Sequence, residues 1–430
     1  MPTLNLPLLK RALAGLTMLS LGVLITLAPY LSRYTALQAA PAGCPSDGRH
    51  LVPWRGGRWY LSGVNLPSLS GGYGADFATV EEWGNYHTYS SAAAEQVFAA
   101  LRARGVNTVR WWVFLDGRGA PEFSAPSGGL VTGFDATTLP SMADAVRLAE
   151  RHNLYLVFTL WSFEMLEPDS TAAAKGEHAG GHRNLIVDAT ARRSFIEQGV
   201  VPMLNYPVAG TDYTIGTHPH VLGWDLFNEP EWGVEEGGAV DPRIVEPVRL
   251  AEMQRFIAEV AGAIHRHSSQ LVTVGSAAMK WNSAVAPGAA GNWWADSALT
   301  RYDPDGYLDF YQIHYYGWME GDGVTWSYSP LRVSWAAGGF EKPTVVGEHA
   351  ANGGLGLLEG LYGNCYGGAW GWTYDGIDGN GSWADLAEPI GTFNAAHASE
   401  VNIIPGDATP PTQPPVEYRY RSYLPLLTRR

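Results

Sequence analysis

The stretch AAAEQVFAALRARGVNTVRWWVFLD, residues 92–116, decides the fold because it passes from a helical pattern directly into a strand pattern. Its first half, Ala92–Arg104, has apolar residues at the spacing of an amphipathic helix. Its second half contains Thr108–Phe114, a short apolar run typical of a buried strand. Helices alternating with buried strands indicate an α/β fold.

The same alternation extends over the chain from Trp59 to Tyr374. Further helical patterns cover Met142–His152, Ala191–Met203 and Pro247–His267. The predicted strands are Trp59–Asn65, Thr108–Phe114, Leu154–Leu160, Val221–Asn228, Leu271–Ser276, Phe310–Tyr315, Thr344–Glu348 and Gly368–Tyr374. Eight strands with helices between them predict a closed (βα)8 TIM barrel. A doubly wound open sheet is the alternative, but the G-x-G-x-x-G turn of its dinucleotide-binding form is not evident after the first strand.

Composition limits the classes of function. The chain has 430 residues, 46% of them hydrophobic, which is enough for a large packed core. Its 42 acidic residues outnumber 28 basic ones, and no cluster of Lys and Arg appears, so nucleic acid is not expected as a partner. The 17 Trp and 21 Tyr suit stacking on sugar rings, although Trp also fills cores.

The two ends of the chain differ from its centre. Lys10 and Arg11 precede an apolar run over residues 12–31, the pattern of an export signal or of an uncleaved membrane anchor. The predicted division is residues 1–43 as signal or anchor with a short linker, 44–404 as the barrel, and 405–430 as a Pro-rich linker and tail. We therefore expect a secreted or cell-envelope-attached protein. The tail either docks on the barrel or retains the protein at the cell surface.

The chain has two cysteines, Cys44 and Cys365, which lack the close Cys/His spacing of a zinc site. In an oxidising compartment they could form one disulfide between the start of the barrel domain and a late loop. Two unpaired thiols are the alternative, and the sequence leaves both open.

Two carboxylates stand at the ends of predicted strands. Functional groups of such barrels lie at the C-terminal ends of the strands. Glu229 directly follows the fourth predicted strand, and Glu348 ends the seventh. Cleavage of a glycosidic bond needs a pair of carboxyl groups, so the pair predicts this chemistry. Without further motifs, either residue could simply begin a loop or cap a helix.

Five motifs accompany these strands. They are Gly105–Asp116 (GVNTVRWWVFLD), Trp224–Pro230 (WDLFNEP), His314–Tyr316 (HYY), Pro343–Glu348 (PTVVGE) and Gly368–Tyr374 (GAWGWTY). In their residues and their order along the chain, these motifs resemble the strands of glycoside hydrolase clan A, and most closely family 5. The resemblance extends over nearly the whole predicted barrel, from Trp59 to Tyr374.

The resemblance implies a role for each matching residue. Glu229 would be the acid/base and Glu348 the nucleophile of a retaining enzyme. We expect the pKa of Glu229 to be raised by burial and by the neighbouring charge of Glu348. Arg110 and the Tyr316 hydroxyl would keep Glu348 ionised.

The remaining matches concern the substrate. Asn228 would bind the 2-hydroxyl of the sugar, His314 would orient Glu229, and Trp372 would form the floor beneath the sugar. Trp112 and Trp161 are further predicted substrate-binding residues. Other candidate sugar platforms are Trp111, Trp232, Trp281, Trp293, Trp294 and Trp318. Strand alternation allows only one of Trp111 and Trp112 to face the barrel interior.

The resemblance leaves the sugar open. The second-strand motif is similar to that of β-mannanases, and the third strand ends Phe158–Ser162 without the His of many family 5 cellulases. We therefore expect a retaining, endo-acting hydrolase of β-1,4-linked mannan, with glucan or xylan as alternatives. It would act as a monomer on a polysaccharide, with no cofactor, no metal, and membrane contact only through an anchor. A non-catalytic polysaccharide-binding barrel and an exo-acting β-glycosidase or transglycosylase are the rival functions.

Loops would decide between an open cleft and a closed pocket. Those singled out are Gly117–Thr132, Glu164–Asn184 and Gly233–Pro242. Four histidines on presumed loops are interpreted as surface or subsite residues because they lack tight ligand spacing. They are His178, His182, His218 and His220.

Overall fold

A computed structural model describes residues 43–69, 74–80, 86–87, 89–168, 179–285, 290–320 and 329–403. The predicted export segment up to residue 42, the C-terminal tail and His178 lie outside the described residues. Among the helices of the described part, none combines the length and apolarity needed to cross a membrane.

Eight parallel strands close into a barrel, as the sequence predicts. They are β1 (Leu61–Leu66), β2 (Thr108–Leu115), β3 (Tyr155–Ser162), β4 (Val221–Asn228), β5 (Leu271–Ser276), β6 (Tyr311–Tyr315), β7 (Thr344–Ala350) and β8 (Gly368–Trp372). Each strand pairs with the next along the chain, and β8 pairs with β1. The strands are buried almost throughout, which explains why they appear as continuous apolar runs in the sequence.

Helices surround this barrel. They are α1 (Ser91–Ala103), α2 (Thr138–His152), α3 (Arg183–Val187), α4 (Ala189–Ser194), α5 (Val201–Asn205), α6 (Leu250–His267), α7 (Asp296–Leu299), α8 (Gly354–Gly363), α9 (Trp383–Ala396) and α10 (Ala398–Val401). A π-helical turn, Phe195–Val200, joins α4 to α5, so the predicted helix Ala191–Met203 is one continuous helical segment. Helices α8 and α9 were not predicted, because α8 is rich in Gly and α9 contains Pro389, and both residue types disfavour helices.

Short turns and hairpins complete the architecture. 3-10 turns at the C-terminal rim are Phe163–Leu166 after β3, Pro230–Gly233 after β4, Met279–Trp281 after β5, Gly317–Glu320 after β6 and Ala351–Gly353 after β7. Two others are Ile215–Thr217 and Glu235–Gly237. Antiparallel pairs outside the barrel are Val52–Trp54 with Gly57–Trp59, Thr79–Val80 with Tyr86–His87, and Glu122–Phe123 with Val131–Gly133.

The two cysteines form a disulfide, which decides between the alternatives left open by the sequence. Cys44 and Cys365 are bonded, with their Cα atoms 5.4 Å apart. Cys365 follows α8 and precedes β8, so the bond fastens the start of the described chain to the entry of the last strand. A link across 321 positions restricts the unfolded chain strongly.

Candidate active site

A cavity of about 230 Å³ opens at the C-terminal ends of the strands. Its lining residues are Trp112, Phe163, Glu164, Asn228, Glu229, Trp232, Tyr316, Trp318, Met319, Glu348, Trp372, Asp378 and Asn380. Both predicted catalytic carboxylates therefore face one shared space, at the rim where such barrels hold their functional groups.

Glu229 is held on a sharp turn at the end of β4. Its backbone is in the left-handed region, with φ 50° and ψ 51°, which is uncommon for a residue other than Gly. The Glu229 N–H donates to the carbonyl of Gly275 on β5, which fixes the turn. Such strained conformations persist where the surrounding structure holds them, often at functional sites.

His314 joins the two carboxylates. Its Nδ1 lies 2.8 Å from Oε1 of Glu229 and 3.4 Å from Oε2 of Glu348. One oxygen of Glu229 and one of Glu348 lie within 4.8 Å of each other. Retaining glycosidases have carboxyl groups about 5–5.5 Å apart, whereas inverting ones need about 6.5–9.5 Å to admit water. The short gap fits retention.

The protonation of His314 follows from its surroundings. Burial lowers the pKa of His314 to about 4, so the ring is neutral near pH 7. Its Nε2 has no hydrogen-bond partner among the described residues, while Nδ1 faces two carboxylates. An ionised carboxylate only accepts hydrogen bonds, so when Glu229 and Glu348 are both ionised the ring proton belongs on Nδ1. A protonated Glu229 can instead donate its proton to Nδ1.

Arg110 on β2 is the centre of a buried network beneath the carboxylates. It is fully buried, and its Nη1 lies 2.7 Å from Oε1 of Glu348. Its Nε donates to Asp225 at 2.8 Å. Nη1 also donates to Asn65 at 2.9 Å, and Nη2 donates to Asn228 at 2.7 Å. One guanidinium thus orients residues from three other strands, β1, β4 and β7, using the fixed fork of donors that Arg provides.

Tyr316 supplies the second donor to Glu348. Its hydroxyl donates to Oε2 at 2.7 Å, while Arg110 contacts Oε1. Burial raises the pKa of Glu348, and the charge of Glu229 raises it further. The nearby His314 and Arg110 and the Tyr316 hydroxyl act in the opposite direction. These groups stabilise the ionised form that a nucleophile requires.

Burial raises the pKa of Glu229 to about 7, although the Trp232 indole and Arg110 lower it. The expected contribution of a charged Glu348 to this rise is not found. The repulsion between the two carboxylates instead raises the pKa of Glu348.

Two tryptophans cover the floor of the cavity. The rings of Trp112 and Trp372 lie 5.5 Å apart at an interplanar angle of 53°. The Trp372 indole donates to Asp378 at 2.5 Å. The peptide bond after Trp372 is cis. Trp232 and Trp318 also line the cavity, and Trp318 is the more exposed, at 54%.

The side chains of Trp111 and Trp112 lie on opposite faces of β2, as strand alternation predicts. Trp112 faces the cavity, whereas Trp111 packs outward against Phe98 of α1, 5.8 Å away. Of the other proposed platforms, Trp281, Trp293 and Trp294 are buried and do not line the cavity.

The prediction that Trp161 binds substrate is wrong. Trp161 is fully buried and packs against Phe114 and Phe195, at 5.2 Å and 5.5 Å. Thr159, two residues earlier, contacts Asp225 inside the barrel. Residues two apart on a regular strand face the same side, so the pleat of β3 breaks between them and turns Trp161 outward.

The predictions for loops and histidines need correction as well. Of the three loops proposed to shape the cleft, only Glu164 lines the cavity within the described residues, and the loops after β6 and β8 contribute instead. His182, His218 and His220 are buried rather than on the surface, because their rings pack against aromatic neighbours.

No role was predicted for Asp225, Glu164 or Asp378. Asp225 lies three residues before Asn228, so strict alternation would place the two on opposite faces of β4. The register of β4 against β5 shifts between these residues, and both contact Arg110. No sequence signal reveals that irregularity. Glu164 and Asp378 lie in the connecting segments that follow β3 and β8, where the sequence pattern carries little information.

Comparisons with known proteins agree with this geometry. A mannan endo-1,4-β-mannosidase of Mytilus edulis is 28% identical over 373 residues, covering 80% of this chain and 92% of the relative. One of Cryptopygus antarcticus is 27% identical over 346 residues, covering 74% and 81%. The structure of an endo-1,4-β-mannanase from Eisenia fetida matches with a TM-score of 0.64 and 27% identity, covering 78% of this chain and 91% of that one.

The chain is a glycoside hydrolase resembling family 5 of clan A. No protein-family model matches the sequence of this chain. A β-mannanase structure from Mytilus edulis, 24% identical with a TM-score of 0.63, covers 83% of this chain and 97% of that one, and supports the barrel fold.

Proposed function

We propose that this glycoside hydrolase is a retaining endo-β-1,4-mannanase, with Glu348 as nucleophile and Glu229 as acid/base. The short gap between the two carboxyl groups, with His314 Nδ1 between them, is the observation that carries the proposal. The named activity of the relatives supports mannan as the substrate.

In the first step, a Glu348 oxygen attacks the anomeric carbon while Glu229 donates its proton to the departing glycosidic oxygen. A bond from carbon to Glu348 forms and the glycosidic bond breaks. A pKa of about 7 leaves a substantial share of Glu229 protonated at neutral pH, as a general acid needs.

In the second step, the ionised Glu229 takes a proton from water, which attacks the same carbon and releases Glu348. Two inversions restore the original configuration. Arg110 and Tyr316 stay in contact with Glu348 and stabilise it each time it regains its charge.

Substrate contacts follow from the cavity walls. Asn228 is held by Arg110 and lines the cavity, so its amide can bind the 2-hydroxyl of the sugar. Trp112 and Trp372 offer flat surfaces for the ring.

The test is a hydrolysis screen over mannan, glucomannan, cellulose, xylan and β-1,3-glucan, with the products sized. Internal cleavage of mannan into oligosaccharides supports the proposal, and release of single sugars alone indicates exo action. Glu229→Gln and Glu348→Gln should abolish hydrolysis but keep binding, whereas Glu197→Gln, on an exposed helical surface, should match the wild type. Wild-type binding without hydrolysis of any polysaccharide would contradict the proposal.

We also propose that the protein is exported and acts as a monomer. The basic residues and apolar run near the N-terminus support export, and the Cys44–Cys365 disulfide suits an oxidising compartment. N-terminal sequencing of protein recovered from the culture medium, with its mass measured by light scattering, tests both statements.

A further inference from the structure

Glu164 is a third carboxylate in the wall of the cavity. It lies in the 3-10 turn Phe163–Leu166 that follows β3, beside the end of β4. It is half-buried and lines the same cavity as Glu229 and Glu348. The two-step mechanism above does not use it.

A chain of hydrogen bonds connects Glu164 to Asn228. The Asn228 Nδ2 donates to Oγ of Ser162 at 3.3 Å, and that hydroxyl donates to Oε2 of Glu164. The Asn228 carbonyl oxygen is occupied by Arg110 at 2.7 Å, which fixes the orientation of the amide. This side of the cavity therefore offers an amide donor beside a carboxylate acceptor.

Such a pair matches the hydroxyl groups of a sugar. A hydroxyl both donates and accepts, and a carboxylate can accept from two neighbouring hydroxyls. Asn228 is the residue placed at the 2-hydroxyl in the proposed function, so a ring bound in that way would bring its 2- and 3-hydroxyls toward Glu164 in the same cavity.

We propose that Glu164 accepts hydrogen bonds from the 2- and 3-hydroxyls of the sugar at the cleaved bond and thereby selects a manno-configured ring. Mannose and glucose differ only in the direction of the 2-hydroxyl, which is cis to the 3-hydroxyl in mannose. A partly buried carboxylate that loses its donor is costly, so the gluco ring is disfavoured. The inference rests on the proposed mannanase function and adds its specificity residue.

If Glu164 served only to position Ser162 through their hydrogen bond, its replacement would give a different result. Burial raises the pKa of Glu164 to about 7, so the side chain is mostly ionised above that pH. Gln keeps the shape of Glu164 and can still accept from the serine hydroxyl, but it accepts from sugar hydroxyls without a charge. A structural role would change the rate for every substrate alike, whereas a specificity role would change which bond is cleaved.

The experiment uses glucomannan at about pH 8, where Glu164 is mostly ionised, and each cleavage exposes either mannose or glucose at the new reducing end. The new ends are labelled by reduction with borodeuteride, and the two sugars are counted after hydrolysis. Wild type and Glu197→Gln should expose mainly mannose. Glu164→Gln should lower the ratio of mannose to glucose by about tenfold, the effect of one charge-assisted contact.

The ratio does not depend on how much enzyme is folded. If Glu164→Gln gives too little protein, Glu164→Asp withdraws the carboxylate by one methylene and should lower the same ratio. A ratio within twofold of the wild type overturns the inference, whatever the total rate. Failure of the wild type to cleave mannan or glucomannan would instead overturn the proposed function.

Discussion

The indole Nε1 of Trp232 donates a hydrogen bond of 2.8 Å to Oε2 of Glu229. The other oxygen of Glu229 faces His314, so each oxygen has its own neighbour. The indole stabilises the charged form and lowers the pKa of Glu229, in opposition to burial. The pKa of Glu229, about 7, is therefore a balance between burial on one side and the indole donor and the charge of Arg110 on the other.

Trp232→Phe should shift the alkaline limb of the pH profile of kcat/KM to higher pH. Loss of the indole donor raises the pKa of Glu229, so the acid stays protonated further into the alkaline range. The shift should be roughly one pH unit, the worth of a hydrogen bond to a charged group. Trp335→Phe, which removes an indole bond to the carbonyl of Lys342, is the matched control and should leave the limb unchanged.

Tyr316→Phe should move the acidic limb to higher pH. The hydroxyl favours the ionised form of Glu348, so its loss raises the pKa of Glu348 further, and the nucleophile becomes protonated at a higher pH than in the wild type. Tyr362→Phe, which removes a hydroxyl bond to Glu400, is the control. An acidic limb that stays in place in Tyr316→Phe would show that this hydroxyl does not tune Glu348.

Arg110→Met should destabilise the fold as well as abolish activity. Arg110 and Asp225 are both fully buried, and removal of one partner leaves an uncompensated charge. Urea unfolding should show a loss of about 3–5 kcal/mol in the free energy of unfolding. The exposed pair Arg104–Glu388 provides the contrast, since Arg104→Met should cost no more than about 1 kcal/mol. Equal losses in the two variants would contradict a stabilising role for the buried network around Arg110.

Gly275→Ala should lower kcat in a protein that remains folded. A Cβ at this position would lie 3.0 Å from Nη2 of Arg110 and 3.1 Å from Nε2 of His314. Both side chains would have to shift, and with them the two carboxylates they hold. The control is Gly356→Ala on α8, where a Cβ meets nothing within 4 Å. Circular dichroism and kinetics of both variants test the prediction, and wild-type kcat in Gly275→Ala would contradict it.

The sequence predicted the barrel well because its strands are buried on both faces and appear as apolar runs. The β4 and β5 bounds agree with the prediction, and the motif residues Glu229, Glu348 and Arg110 come together as expected. The local departures from regular pleating were not predictable. They turn Trp161 outward and Asp225 inward, because a bulge depends on how neighbouring strands fit rather than on the pattern of one strand.

The residues that line the cavity from outside the strands were harder still to predict. Glu164 and Asp378 reach the site from segments that follow strands, and their positions depend on tertiary contacts such as those with Ser162 and Trp372. Neither residue carries a periodic signal, so only the folded arrangement places them in the same cavity as Glu229 and Glu348.

The most direct test of the central claim is to trap the covalent intermediate. The 2-deoxy-2-fluoro-β-glycosyl fluoride of the sugar that the enzyme hydrolyses should inactivate it, and peptide mapping by mass spectrometry should locate one glycosyl group on Glu348. A label on Glu229, or on a residue outside the pair, would contradict the assignment of nucleophile and acid/base.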